Sequence, residues 1–316
     1  MVLRSRSPIR NFLRNFAHHH TPMKNRFSTS DFRITDGHGF KLKDHSTALK
    51  QDLDKNELQD AVKKDAEHIG KLQEKLYAEN NRSLLLIFQA MDAGGKDSCI
   101  ARVLADVNPQ GCQVTSFKSP NSEELSHDFL WRHAKAIPPT GMIGIHNRSH
   151  YEEVLVVKVH PEYLIGQKLP GITSSKDADA TFWKHRYASI RHFEEHLTRQ
   201  GVTILKFHLH MGKEAQRKRC LERIEDPEKN WKFSMDDVKE RAYWDAYMKA
   251  YEKAIAETAT KHAPWYVVPA DKQWETRAIV CRVVHEKLKE MDPQIPELSA
   301  EAKKELPAVE EALKKE

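Results

Sequence analysis

The stretch Ser83-Leu-Leu-Leu-Ile-Phe-Gln89 runs straight into Ala-Met-Asp-Ala-Gly-Gly-Lys-Asp-Ser98, and after it Ile100, Val103, Leu104 and Val107 recur at helical spacing. A charge-free run this short, followed at once by glycines, is expected as a strand buried on both faces of a parallel sheet. Strand, glycine turn, lysine and helix in that order make a phosphate cradle. Backbone N–H groups and the helix N-terminus face the anion, and the lysine reaches its outer oxygens. Ala93, Gly94, Gly95, Lys96, Asp97 and Ser98 are the candidate phosphate-binding positions. The usual spacing asks for glycine at position 90 and a hydroxyl residue directly after the lysine, where Ala90 and Asp97 stand. An ordinary βα turn is the competing reading, but such a turn has little use for both a lysine and an aspartate.

Similar apolar runs follow at Cys112 to Lys118, Gly141 to Asn147, Val202 to His208 and Trp265 to Pro269. Helical patterns separate them over 96–107, 122–136, 178–200, 213–262 and 272–290, and an amphipathic pattern over 57–80 precedes the first. The alternation predicts an α/β three-layer sandwich of the P-loop kinase type, with a parallel sheet of about five strands and its ligand at the carboxyl edge. The domain is expected over residues 31–292. The row Trp244, Tyr247, Met248, Tyr251 and Ile255 is expected as core, and His208 with His210 lacks a third metal ligand.

Residues 1–30 hold six of the 51 basic residues and no acidic one, leaving 45 basic against 46 acidic in the remainder. The body is neutral, which argues against a nucleic-acid partner. The leader is expected as disordered; an Arg-rich, acid-poor segment also resembles a mitochondrial transit peptide, the less favoured reading beside a cytoplasmic protein. Residues 293–316, rich in Glu, Lys and Pro, are expected as a flexible tail. No apolar run approaches the length of a membrane span. Cys99, Cys112, Cys220 and Cys281 are dispersed, so neither a disulfide framework nor a zinc site is indicated.

Within the cradle, Asp92 makes sense chiefly if a cation lies between it and the phosphates, and Mg2+ suits such a carboxylate–phosphate shell. Helix capping is its alternative role. At the end of the third run, in Gly144-Ile-His-Asn-Arg-Ser-His-Tyr-Glu-Glu153, Arg148 is placed to clamp phosphates and Asn147 stands where a metal-orienting aspartate is expected. Glu152 or Glu153 is expected to compensate, with Glu153 the candidate, although adjacent carboxylates at a helix start also serve its dipole. Lys118 and Arg132 are further candidate cations. On a helix beginning near Lys213, Arg219 and Arg223 share a face that, with Lys232, is expected to close over a polyanion as a lid over about 213–245. A solvated charged face is the alternative.

Taken together, Gln89-Ala-Met-Asp-Ala-Gly-Gly-Lys-Asp, His127-Asp-Phe-Leu-Trp-Arg, Asn147-Arg-Ser-His-Tyr-Glu-Glu, Asp226-Pro-Glu-Lys-Asn-Trp-Lys and Ala263-Pro-Trp-Tyr-Val-Val-Pro-Ala-Asp resemble the polyphosphate kinase 2 family from about Phe40 to Met291, most closely its single-domain branch using AMP and ADP. The resemblance implies a thymidylate-kinase-like core, Mg2+ dependence, reversible phosphoryl transfer between inorganic polyphosphate and adenine nucleotides, and a homo-oligomer. By matched positions Asp92 would hold the metal, Lys96 and Arg148 the phosphates, and Arg219 and Arg223 the polyphosphate. Cys99 and His146 depart from the family's usual Thr and Phe, while Asn147 matches this branch. The rival functions are an ATP-dependent P-loop kinase of a small molecule and a non-catalytic polyanion-binding protein.

Overall fold

The computed structural model describes residues 27–232 and 234–316. Most of the leader expectation, residues 1–26, therefore lies outside the described residues. From Phe27 the chain already joins the body: Phe27 packs edge-on against Phe32 at 6.1 Å, and the Thr29 hydroxyl donates to Glu286.

The chain runs through β1 (Arg33–Ile34), α1 (Lys55–Glu79), β2 (Ser83–Gln89), α2 (Lys96–Val103), β3 (Cys112–Ser116), α3 (Ser122–Ser126), α4 (Trp131–Ala134), β4 (Ile143–Asn147), α5 (Val156–Val159), α6 (Ala180–Arg199), β5 (Val202–His210), α7 (Lys213–Glu225), α8 (Met235–Glu240), α9 (Trp244–Thr258), β6 (Trp265–Pro269), α10 (Gln273–Met291) and α11 (Ala300–Lys315). The five expected strands are all present. A sixth, β1, pairs antiparallel with β6 through Arg33 and Tyr266, so the sheet is mixed and mostly parallel, in the order β1-β6-β5-β2-β4-β3. Two residues are too few to leave a periodic signal in the sequence.

β2 lies between β4 and β5, with Leu86 opposite both Ile145 and Leu205, and its seven residues are all buried. β3 is an edge, which leaves Val114 exposed despite its apolar run. α1, α2 and α10 cover one face of the sheet, and α5, α6 and α9 pack together on the other. α1 begins where the Asp54 carboxylate accepts from the N–H groups of Asn56 and Glu57 at 2.9 and 3.0 Å, and ends at Asn80, which takes a left-handed φ of 50°. Between them Leu58, Val62, Ile69 and Leu76 form the buried stripe.

Two expected helices are broken. Over 122–136 a capping box between Asn121 and Glu124 starts α3, which stops at Ser126 before α4 begins. The 213–262 region becomes α7, α8 and α9. The tail carries α11, an exposed helix that includes Pro307. Among the described residues no helix is long and apolar enough to cross a membrane.

One polar knot sits in the core directly behind the carboxyl edge. Lys206 on β5 donates to Glu194 on α6 at 2.6 Å, to the Tyr151 hydroxyl at 3.0 Å and to the Thr258 carbonyl at 2.8 Å. The Tyr151 hydroxyl in turn donates to Glu194 at 2.8 Å, and Trp265 Nε1 donates to the Thr258 hydroxyl at 2.9 Å. Burial pushes the Glu194 carboxyl up, but Lys206 and His150 outweigh it and hold it below the usual carboxylate range. Burial lowers the Lys206 pKa, with Glu194 opposing, and both members of the buried pair have hydrogen-bond partners beyond each other.

Candidate active site

The chain turns from β2 into α2 through Ala90 to Gly95. Gly95 has a φ of 91° and Ala93 one of 59°, a conformation costly for a residue with a side chain. A Cβ at Gly94 would meet the Ala90 Cβ at 2.5 Å and the Met91 carbonyl oxygen at 2.7 Å. With alanine at position 90, glycine at 94 is obligatory. α2 starts with no side-chain cap, so its first-turn N–H groups face the carboxyl edge without an internal acceptor from a cap.

Lys96 is buried and folds back so that Nζ donates to the Ala90 carbonyl at 2.9 Å. Burial, and then the nearby Arg148 charge, lower its pKa. Ser98 closes on the Gly95 carbonyl at 2.9 Å. Asn147, at the end of β4, donates to Asp97 at 2.7 Å, so these two residues tie β4 to the first turn of α2. Arg148 follows with a φ of 63°, its N–H continuing the ladder to the Phe88 carbonyl at 3.1 Å while its guanidinium donates to Asp92 at 3.0 Å. Burial pulls the Arg148 pKa down, but Glu152 and Asp92 outweigh it and raise it.

These residues open onto a cavity of about 670 Å³ beyond the ends of β2, β3 and β4. Asp92, Arg148 and Glu152 line its inner end, and Lys118 and Arg132 its flank. Arg132 is braced by the Lys118 carbonyl at 2.8 Å and Glu124 at 3.2 Å, with its guanidinium over the Phe117 ring. Tyr247 and Tyr251, expected as core, are buried and also face the cavity.

The two neighbouring glutamates separate. Glu153, the sequence candidate, is engaged by Arg186 at 2.6 Å and Gln167 at 2.7 Å and is already neutralised. Glu152 instead faces Arg148, Lys96 and Asp92. Burial raises its pKa, with Arg148 and Lys96 opposing and Asp92 adding to the rise. Residues 150–154 form a 3-10 turn, in which each step rotates the side chain by about 120°, so adjacent residues point to different walls.

Arg219 and Arg223 of α7 are both engaged by groups of the protein itself. Arg219 is buried and donates to the carbonyls of Ala93 at 3.1 Å and Asp271 at 3.1 Å, clasping the glycine loop to the segment after β6. Arg223 pairs with Asp237 at 2.9 Å. Gln216 donates to the Asp92 carbonyl at 3.0 Å. What α8 presents to the cavity is acidic: Asp236, Asp237 and Glu240. Burial raises the Asp237 pKa, and the Asp92 charge raises it further. Sequence reasoning missed Asp237 because acids after Ser234, which caps α8 through the Asp236 N–H, read as ordinary first-turn residues. The side chain of Lys232 lies outside the described residues. Asp92, Glu152 and Asp237 are thus three carboxylates lining one cavity, the last two with pKa values raised mainly by burial. An oxygen-binding cation fits that donor set.

The polyphosphate kinase 2 family model matches residues 52–296. This chain belongs to the polyphosphate kinase 2 family. It is 46% identical over 282 residues to an ADP-polyphosphate phosphotransferase of Rhodopseudomonas palustris, covering 89% of this chain and 96% of that protein. It is 47% identical over 227 residues to an AMP/ADP-polyphosphate phosphotransferase of Meiothermus ruber, covering 72% and 79% respectively. The crystal structure of polyphosphate kinase 2 from Arthrobacter aurescens TC1 superposes with a TM-score of 0.79 at 38% identity, over 90% of this chain and 97% of that one. The chain is accordingly an enzyme of the polyphosphate:nucleotide phosphotransferase type.

Buried histidines lie behind this site. His146 Nε2 donates to the Ala136 carbonyl at 3.1 Å and its ring packs edge-on to Phe117, and burial lowers its pKa to about 4. Burial likewise lowers His210 to about 4 and pulls His133 and His208 down. A folded pKa below the unfolded value near 6.5 means that the unfolded chain binds more protons, so the stabilisation is complete above pH 6.5 and is lost as pH falls. At pH 5.5 His146 and His210 together should cost about 3 kcal/mol relative to neutral pH. Melting curves at pH 7.5 and 5.5 check this; an unchanged midpoint would contradict buried neutral imidazoles.

Proposed function

We propose that this enzyme transfers the terminal phosphoryl group of inorganic polyphosphate to both AMP and ADP, reversibly and with Mg2+, forming ADP and ATP. The observation that carries the reading is the pairing of Arg148 with Asp92 in a cavity that Glu152 and Asp237 also line. Cations and carboxylates alternate there as two facing polyanions and a divalent cation require. The printed names of the Rhodopseudomonas and Meiothermus relatives, one citing ADP and the other AMP and ADP, support the donor and acceptor classes.

The attacking atom is a terminal phosphate oxygen of the acceptor, already largely ionised at neutral pH, so no strong general base is needed. The protein's task is alignment and charge neutralisation. Arg148 holds phosphate oxygens while anchored by Asp92, and Lys118 and Arg132 hold the acceptor's flank. The open N-terminus of α2 receives the donor phosphates, with Lys96 turning out of its bond to the Ala90 carbonyl. Asp92, with Glu152 and Asp237 on the same cavity, would hold Mg2+, which would neutralise charge on the transferring group. Asn147 is compatible with this scheme because its role is to fix Asp97 and the end of β4.

Polyphosphate with ADP should yield ATP in the absence of any other phosphoryl donor, and chelation of Mg2+ should stop it. A kinase that spends ATP on a small molecule would give no ATP under these conditions.

For the lid, Arg223→Gln is expected to lower turnover or polyphosphate affinity about tenfold, the worth of one charge-assisted contact, with little change in melting temperature. Arg219→Gln is expected to lower both, because its guanidinium also satisfies buried carbonyls of the glycine loop. Wild-type kinetics and stability in Arg219→Gln would contradict the clasp.

A further inference from the structure

Where α1 packs on α10, three potential metal ligands converge that the reaction does not use. Asp65 on α1 is buried, and its two oxygens are divided: Oδ2 accepts from Arg282 Nε at 2.9 Å, and Oδ1 meets His285 Nδ1 at 2.8 Å. His68, one turn along α1 from Asp65 and exposed, stacks on the His285 ring at 4.7 Å between centroids. One ligand atom from each of Asp65, His68 and His285 lies within 4.8 Å of the others. None of the three lines the cavity.

We propose that Asp65, His68 and His285 form a second cation site, for Zn2+, that bridges α1 and α10. Two imidazoles and one carboxylate are a donor set suited to Zn2+ and too rich in nitrogen for Mg2+ or Ca2+. Asp65 Oδ1 and His285 Nδ1 are hydrogen-bonded at 2.8 Å, and opening them by about 0.5 Å gives the separation of two ligand atoms on one tetrahedral Zn2+ with metal–ligand bonds of about 2.0–2.2 Å. Arg282 has the place of an outer partner, orienting the carboxylate by holding the oxygen that does not bind. On binding, the ring proton of His285 moves from Nδ1 to Nε2, so that Nδ1 and the Asp65 Oδ1 can both bond to the ion; the exposed His68 ring rotates to complete three protein ligands, with water as the fourth.

The test is calorimetric titration of Zn2+ into the full chain at neutral pH, with Mg2+ saturating the cavity carboxylates and with His18, His19 and His20 replaced by alanine to remove the other imidazole cluster. One equivalent is expected. His68→Ala and His285→Ala should each weaken binding at least tenfold and abolish the Zn2+-induced rise in melting temperature. Mg2+-supported activity of His68→Ala should stay within about twofold of the parent. Absence of Zn2+ binding in the parent, or full affinity in His68→Ala, would overturn the site. Loss of binding in Asp92→Asn with retention in His68→Ala would place the ion in the cavity and overturn it equally. If His285→Ala does not fold, the exposed His68 decides alone.

Discussion

Asp92→Asn is expected to lose phosphoryl transfer by about 10²- to 10³-fold while the protein folds normally. Its carboxylate anchors Arg148 at 3.0 Å, and in the reaction proposed above it would also help to hold Mg2+. An amide keeps the volume and one acceptor oxygen but supplies no charge. Losing one preorganised electrostatic contact to the transferring group costs about 3–4 kcal/mol in comparable sites. Folding should be spared, because the Glu152 and Asp237 pKa values are raised mainly by burial and the Asp92 charge only adds to the rise, so its removal leaves no new unpaired acid. Asn147→Asp is the matched control. It places a second charge beside Asp97 without touching the Asp92 set, and activity should largely survive. Steady-state rates with polyphosphate and ADP, beside melting curves, make the comparison; a fully active Asp92→Asn enzyme would remove the metal role.

The second large effect is on stability and comes from the core knot. Lys206→Met strands the Glu194 carboxylate and the Tyr151 hydroxyl without their cation. An uncompensated buried charge typically costs about 3–5 kcal/mol, so in a chain of this length the melting temperature should fall by roughly 5–8 °C. Pairing Lys206→Met with Glu194→Leu removes both charges and should recover most of that loss. The consequence reaches the active site, because Tyr151 lies three residues beyond Arg148, and Ser149 between them accepts from Gln89 at 3.0 Å. A loosened Tyr151 frees the turn that aims Arg148 and Glu152. Chemical denaturation of the single and double variants measures the recovery; equal stability of Lys206→Met and the parent would contradict a charged, satisfied pair.

The parts of this molecule that were legible in the sequence are those where one local rule acts alone. β2 announces itself because a strand covered on both faces has no polar positions, and the glycines after it are needed for φ angles and close approach. Other features depend on contacts distant in sequence. Arg219 and Arg223 do share a helix face, but whether a guanidinium reaches a ligand or a carbonyl depends on the Ala270-Asp271 segment, some fifty residues later. Adjacent Glu152 and Glu153 are chemically identical in sequence; a 3-10 turn and a buried Arg186 separate their functions. Asp237 looked like a first-turn acid and takes its significance from Asp92, which only tertiary structure brings near it. Lys206 and Glu194 stood inside apolar and amphipathic patterns, and nothing in a linear reading pairs them.

The central claim is that the cavity transfers phosphate from polyphosphate directly to a nucleotide held beside Arg148. Polyphosphate carrying labelled phosphorus, incubated with the enzyme, Mg2+ and unlabelled AMP, tests it most directly when products are resolved over time. The account requires label in the β-phosphate of ADP first, and in both the β- and γ-phosphates of ATP afterwards, with neither product formed after chelation. Label confined to free orthophosphate, or label entering ATP from added ADP but never from AMP, would contradict it.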